Sequence, residues 1–172
     1  MKARGRLIAI DGVNGPAIEA AARRLRADGP KGAGISEWDA SGIFGELGDS
    51  DEESAPSARV LLLLYATDLA FRLRWEIRPA IEEGRVVIAA PYVETAIALG
   101  RAAGLRGGWL YHLFGFAPPA TQSRLVAPPR HSVDHGGFVN FGCERVASAR
   151  AGLSRERLLE RAAAFLKKSR SR

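Results

Sequence analysis

The 172-residue sequence contains a single cysteine, Cys143, and no apolar run near the ~20 residues that a membrane-spanning helix requires. A lone cysteine excludes an internal disulfide and a zinc site built on cysteine pairs, which agrees with a reducing compartment. The N-terminus also lacks the charged, apolar and cleavable pattern of a signal peptide. We therefore expect a cytoplasmic protein with no membrane partner.

The sequence also lacks a basic stripe interleaved with aromatic residues, although its net charge is +6. The excess of basic residues is scattered over helical segments and residues 167–172, and residues 49–53 form an acidic run. We therefore expect no nucleic acid partner. With 47% hydrophobic residues and no long low-complexity tract, the sequence predicts one domain over residues 1–172, the last few of them disordered.

Segments of strand and helix character alternate along the chain. A helix is predicted over residues 57–84, with a kink or break at Pro79, and a terminal amphipathic helix over residues 154–168. Strand-like runs are predicted at residues 6–11, 34–39, 85–90, 125–129 and 145–149. This alternation predicts an α/β fold with three layers, in which helices cover both faces of a parallel sheet.

The chain opens with the strand, loop and helix layout of a phosphate-binding loop, in the run RLIAIDGVNGPAIE that begins at Arg6. A working loop reads G-x-x-x-x-G-K-[ST], in which the Lys reaches the phosphate oxygens and the hydroxyl holds Mg²⁺. Counted from Gly12, the Lys position is Ile18 and the hydroxyl position is Glu19. Pro16 also removes one amide donor. The layout therefore indicates a nucleotide-kinase scaffold without the usual phosphate-binding side chains.

Three later segments read LLYATDL from Leu63, IRPAIEEGRVVI from Ile77 and APYVET from Ala90. In their order and spacing they resemble the bacterial thymidylate kinases, which read LLFAADR and then IxPALxxGxVVxxDRY, followed by a small hydroxyl residue. With the opening run, the resemblance covers roughly residues 6–130. It implies a P-loop NTPase-like fold of the thymidylate kinase type, with a shortened lid at residues 130–142.

At several positions the chain departs from the residues that the resemblance implies. The acidic residue of the family's loop is Asn14 here, and the Arg directed at the thymine ring is Leu69. The Asp-Arg pair that serves magnesium and phosphate is Ala90-Pro91, whereas Tyr65 keeps the position of the ring that stacks on the base. Since a single arginine can be worth ~10³ to 10⁵ in phosphoryl-transfer rate, we expect negligible thymidylate kinase activity, no tight binding of Mg-ATP and no other cofactor.

Loss of cations and retention of carboxylates and aromatic rings predict a neutral-to-acidic cleft, suited to an uncharged or cationic organic molecule. The first hypothesis is a repurposed small-molecule site that uses acid/base chemistry, for example in a biosynthetic tailoring enzyme. The candidate catalytic residues are Asp11, Glu37 and Tyr92. The candidate substrate-binding residues are Asn14, Tyr65, Asp68, Arg72 and Glu94. On the alternative interpretation, Asp11 and Glu37 cap backbone N–H groups and Tyr65 fills the core.

Two further hypotheses remain open. The second is a non-catalytic pseudokinase that dimerises through the apolar helix at residues 58–75 and regulates or scaffolds another protein. Thymidylate kinases are dimers, so the resemblance implies a homodimer as well. The third is a divergent, active nucleoside monophosphate kinase, in which Arg72 replaces the guanidinium that is missing at Leu69.

The shape of the cleft discriminates between the first two hypotheses. An enclosed pocket lined by Asp11, Glu37, Tyr65 and Tyr92 favours the small-molecule site. A cavity that has collapsed onto the side chains at the former Lys and Arg positions favours the non-catalytic partner; these positions are Ile18 and Pro91.

The histidines are weaker candidates. His131, Asp134 and His135 have a spacing that metal ligands can show, but they lie in a Gly/Pro-flanked segment where polar residues are expected in any case. We therefore predict a solvated loop and no metal site. His112 lies in an aromatic helical segment and is predicted to be a packed helix residue, not a catalytic base.

Overall fold

The computed structural model describes residues 5–48, 56–128, 136–149 and 153–169. In these ranges one parallel sheet has the order β2-β3-β1-β4. Its strands are β1 (Arg6–Gly12), β2 (Gly34–Glu37), β3 (Val86–Ala90) and β4 (Gln122–Val126). The helices are α1 (Gly15–Asp28), α2 (Ile43–Gly48), α3 (Ala58–Arg72), α4 (Arg78–Glu82), α5 (Val93–Ala102), α6 (Gly107–Leu113), α7 (Phe138–Ala149) and α8 (Arg155–Ser169).

Helices cover both faces of this sheet, so the predicted three-layer arrangement is confirmed. The two central strands are apolar on both sides, as parallel strands between helix layers must be. On one face Ile8 and Ile10 pack with Ile18 of α1. On the other face Leu7 and Ala9 join the larger cluster formed with α3, α5, α7 and α8.

The break predicted at Pro79 begins earlier, as a π-helical turn over Leu73–Ile77 that joins α3 to α4. In this turn the Arg78 N–H donates to the Leu73 carbonyl, five residues back. Proline has no N–H to continue an α-helix, and its ring crowds the carbonyl four residues earlier. The wider π-helical turn accommodates Pro79, so the chain continues as a helix into α4.

The strand predicted at residues 145–149 is wrong, because these residues belong to α7. Phe138, Val139, Cys143 and Val146 are all buried, and this spacing follows the period of a helix instead of a strand. The buried strand predicted at residues 125–129 is also displaced. β4 begins at Gln122, three residues earlier, and lies at the edge of the sheet with Gln122, Ser123 and Arg124 exposed.

The terminal amphipathic helix is confirmed as α8, which packs on α5 with Leu158, Ala162 and Leu166 buried. Cys143 is fully buried, and burial raises the pKa of its thiol to about 12. His112 is exposed on α6, contrary to the expectation of a packed residue. The described helices include none that combines the length and the apolar character needed to cross a membrane.

Two predictions fall wholly or partly outside the described ranges. His131, Asp134 and His135 lie outside the described residues, and so do residues 170–172, where disorder was expected. The shortened lid expected at residues 130–142 is described only from residue 136, where the chain leads into α7.

Candidate functional site

The turn between β1 and α1 has the course of a phosphate-binding loop, but protein acceptors occupy two of its amide groups. The Gly12 N–H donates to Thr95 Oγ1 at 3.0 Å, and the Gly15 N–H donates to the carbonyl of Gly136 at 2.8 Å. In a working loop such N–H groups face the phosphate oxygens. Here they are already used within the protein.

The segment that leads into α7 lies directly on this turn, and we call residues 136–139 the plug. A Cβ atom on Gly15 would collide with the Gly136 carbonyl. One on Gly137, whose φ is 94°, would lie 2.7 Å from the Gly15 Cα. Glycine at both positions therefore permits an approach of backbone to backbone that any other residue would prevent. Phe138 follows, and its side chain is 1% exposed.

The remaining cavity over the loop has a volume of about 50 Å³, enough for a few water molecules. Ligand pockets usually measure about 300–1,000 Å³. The cavity is lined mainly by the loop, the ends of β2 and β3 and the plug, with Ile18, Glu37, Pro91 and Phe138 among its walls. The cavity has therefore collapsed onto Ile18 and Pro91, and it contains neither Tyr65 nor Tyr92.

These residues do not fit Mg-ATP, the group that the fold implies. The Gly12 and Gly15 amides bind protein acceptors, Ile18 stands at the Lys position, and Glu19 adds negative charge beside the cavity. Across the described parts of the chain, no group of three or more His, Cys, Asp or Glu side chains is placed to hold a metal ion.

Asp11, at the end of β1, holds the start of α5. Its Oδ1 accepts from the N–H groups of Tyr92 and Thr95 at 3.0 and 2.9 Å, and from Thr95 Oγ1 at 2.7 Å. Burial raises the pKa of this carboxyl above its ordinary value of 3.8, although the three hydrogen bonds and nearby Arg72 oppose the shift. The geometry fits the interpretation of Asp11 as a backbone cap.

Arg72 is fully buried at the carboxyl ends of β2 and β3. Its Nε donates to Ser36 Oγ at 2.9 Å, and its Nη2 donates to the carbonyls of Ser36 and Pro91 at 2.7 and 2.9 Å. Within the described residues its Nη1 has no hydrogen-bond partner. Through Nε and Nη2 the guanidinium therefore links the two strand ends.

The two candidate tyrosines are also committed to internal contacts. The Tyr65 hydroxyl donates to the Tyr92 carbonyl at 2.6 Å, and its ring lies 4.3 Å from that of Phe138, centroid to centroid. The Tyr92 hydroxyl donates to the Pro118 carbonyl at 2.7 Å. Burial raises the pKa of Tyr65 well above its usual range and that of Tyr92 to about 12. Both hydroxyls therefore stay protonated at neutral pH.

The other candidates lie around this cluster. Asp68 is fully buried and accepts from the Asp39 N–H and from both the N–H and the hydroxyl of Ser41. Asn14 caps α1, since its Oδ1 accepts from the Ala17 N–H at 2.9 Å.

The two glutamates lie on different sides of this cluster. Glu37 is exposed and lines the small cavity. Glu94 is half-buried on α5, where burial raises the pKa of its carboxyl, and it lies in a separate groove between β4 and α8. The structure thus groups Asp11, Tyr65, Arg72 and Tyr92, none of which lines the loop cavity, and it places Glu94 in a groove that Asp11 also lines.

Sequence reasoning missed the residues that close the loop. Gly136, Gly137 and Phe138 were assigned to a lid, yet their carbonyl, backbone contact and ring cover the loop. The pair of glycines before an aromatic residue is the one signal of a close backbone approach there. Ser36, which binds Arg72, carries no signal beyond its position in a strand, whereas Thr95, which binds Asp11, stands where the resemblance implies a small hydroxyl residue.

Comparison with known proteins finds similarity both in sequence and in structure. No family model matches the chain. A probable thymidylate kinase of Pyrococcus abyssi is 38% identical over 72 residues, which are 41% of this chain and 35% of that protein. The crystal structure of thymidylate kinase from Ehrlichia chaffeensis matches with a TM-score of 0.62 at 10% identity, over 85% of this chain and 99% of the other.

The fold is thus the P-loop NTPase-like fold of the thymidylate kinase type. The chain is thus similar to thymidylate kinases in fold and, over a segment of 72 residues, in sequence. The match spans about a third of the length of the Pyrococcus abyssi protein.

Proposed function

We propose that this chain is a non-catalytic member of the thymidylate kinase family, a pseudokinase that acts as a dimeric regulatory or scaffold partner of another protein. The observation that carries the proposal is the closure of the phosphate loop by the plug. A cavity of about 50 Å³ over the loop leaves no room for a triphosphate.

Opening the loop for a nucleotide is costly. The hydrogen bond between Gly15 and Gly136 has to break, and exposing the Phe138 side chain costs about 1.5–3 kcal/mol. A working loop recovers such a cost through its Lys and Mg²⁺. Here Ile18 offers no charge, and the Glu19 carboxylate, which pairs with Arg23 at 3.4 Å, repels phosphate.

The surface of α3 and the π-helical turn supports the dimeric part of the proposal. Val60, Leu63, Phe71 and Trp75 are 43%, 45%, 40% and 65% exposed, and they lie along one side of the helix. We call these four residues the α3 stripe. An exposed apolar stripe of this kind is typical of an interface, and a second copy of the chain would cover it with the same residues.

The other two hypotheses have less support. The aromatic and charged side chains of the proposed small-molecule site are used in internal hydrogen bonds, and no enclosed pocket joins them. That hypothesis stays a prediction. Arg72, which the active-kinase hypothesis requires at the base, is bound to Ser36 and Pro91.

A kinase assay tests the proposal. Purified protein with dTMP and Mg-ATP is expected to form no ADP above the protein-free rate, in a coupled assay checked with an active thymidylate kinase. Turnover in the usual kinase range of about 1–100 s⁻¹ would overturn it.

A further inference from the structure

The outer edge of β4 presents backbone groups that the described residues leave unpaired. The Thr121 N–H donates to the Leu7 carbonyl at 2.8 Å, on the side of β1. N–H and C=O groups alternate in direction along a strand, so those of Gln122 and Arg124 and the N–H of Val126 point to the opposite side, whereas the Val126 carbonyl lies against Gly12 of β1. Among the described residues no strand pairs with β4 on that side.

A groove of about 730 Å³ follows this edge between β4 and α1. Its floor is made of small or medium apolar side chains, including Ala17, Ala21, Leu25 and Val126. A strand added to β4 would place every second side chain over this floor. The groove and the backbone edge therefore favour the same kind of occupant, an extended segment.

The charge of the groove defines that segment further. Arg24 on α1 and Arg124 on β4 both line it, against one carboxylate, Asp28. An acidic side chain at the middle of the added strand would face the two arginines, with small apolar residues on either side of it. A second copy of β4 is a poor occupant, because antiparallel pairing would bring the two Arg124 side chains together on one face.

The geometry points to the β4 edge as a docking site for an extended acidic segment of a partner protein, which adds to the sheet as a strand beside β4. Main-chain hydrogen bonds to Gln122, Arg124 and Val126 supply affinity, and the groove selects the side chains. This inference does not require the α3 stripe or the loss of kinase activity.

A labelled peptide tests the inference on the intact chain. The probe is the hexapeptide Val-Thr-Glu-Thr-Val-Thr, which places Val, Glu and Val on the α1 face, and binding is followed by fluorescence anisotropy. We expect saturable binding, and binding at least about tenfold weaker when Lys replaces Glu in the peptide.

The variant Gln122→Pro removes one outward N–H and leaves the side of β4 that pairs with β1 intact, since proline is tolerated at sheet edges. We expect it to weaken binding about tenfold or more, whereas the matched Gln122→Ser keeps the N–H and binds as wild type does. Arg124→Glu should weaken binding similarly, and Arg124→Lys should retain it. Circular dichroism and melting temperature confirm that each variant is folded.

Three results would overturn the inference. One is the absence of saturable wild-type binding up to about 1 mM peptide. In that case the charge of Arg124 would serve to prevent edge-to-edge aggregation. Another is equal binding by folded Gln122→Pro and Gln122→Ser. The third is a change of oligomeric state in Gln122→Pro, because it would assign the edge to a second copy of the chain.

Discussion

Arg72 is the residue on which the carboxyl ends of two strands depend. Its guanidinium binds the Ser36 side chain and the buried carbonyls of Ser36 and Pro91. In a nucleotide kinase this end of the sheet carries cations that bind phosphate. Here Arg72, the one buried cation of the described cluster, binds oxygen atoms of the protein instead. We therefore predict that Arg72 contributes to the stability of the fold.

Replacement of Arg72 by Met should lower the free energy of unfolding by about 2 kcal/mol or more, because buried carbonyls lose their donors. The control is Arg74→Met, two residues on, where the side chain is exposed and lies over the ring of Trp75. Urea denaturation of both variants measures the difference. Equal, small losses would show that the Arg72 hydrogen bonds do not hold the strand ends.

Asp11 predicts a pH dependence. Burial raises the pKa of its carboxyl above 3.8, so above the raised value the folded protein carries a desolvated carboxylate that lowers stability. This cost disappears as the pH falls through the raised pKa towards 3.8, where the unfolded state takes up the proton too. Asp11→Asn keeps an oxygen for the same three donors and never carries the charge.

Wild type should therefore gain stability relative to Asp11→Asn as the pH falls from about 8 through that window. Free energies of unfolding across a pH series measure the gap between the two proteins. The Asp11 charge also raises the pKa of the Glu94 carboxyl, so Glu94 contributes to the gap in the same direction as Asp11 does. A gap that stays constant, or that widens in favour of Asp11→Asn at lower pH, would contradict the burial argument.

Single residues differ in how far the sequence alone predicts them. The absence of the Lys and hydroxyl side chains, whose positions are taken by Ile18 and Glu19, follows from counting along the loop. The capping interpretation of Asp11 follows from its place at a strand end. The position of Arg72 does not follow, because helical spacing gives its neighbours on α3 but not the Ser36 and Pro91 oxygens that it reaches across the sheet.

At the scale of elements, α7 is the part of the fold that the sequence did not reveal. Residues 145–149 contain few polar side chains, and a short run of this kind does not distinguish a strand from a buried helix. The helical period becomes clear only when Phe138, Val139, Cys143 and Val146 are taken together. The same misassignment hid the plug, because a strand there left residues 136–139 free to be a lid.

The α3 stripe makes a prediction about assembly. Phe71→Glu places a charge in an apolar interface, so it should convert a dimer into a monomer in sedimentation velocity or light scattering. Tyr111→Glu is the matched control, since Tyr111 is 59% exposed on α6, away from the stripe. A wild-type monomer, or a Phe71→Glu dimer as stable as wild type, would exclude this helix as the interface.

The architecture of the whole molecule could be predicted from the sequence, whereas the closure of its cleft could not. Alternating strands and helices specify the parallel sheet, and the order of motifs resembles that of thymidylate kinases. Closure depends on residues far apart in the chain, since Gly15 meets Gly136 and Tyr65 meets Phe138. No local pattern records such contacts, so the sequence alone does not favour the non-catalytic hypothesis over the small-molecule hypothesis.

The plug occupies the phosphate loop of a nucleotide-kinase fold. Isothermal titration of Mg-ATP into the folded wild-type protein, with and without dTMP, tests it most directly. The plug and the missing cation predict no saturable binding, that is, a Kd weaker than about 1 mM. Saturable binding of one Mg-ATP per chain at micromolar concentration would contradict the account.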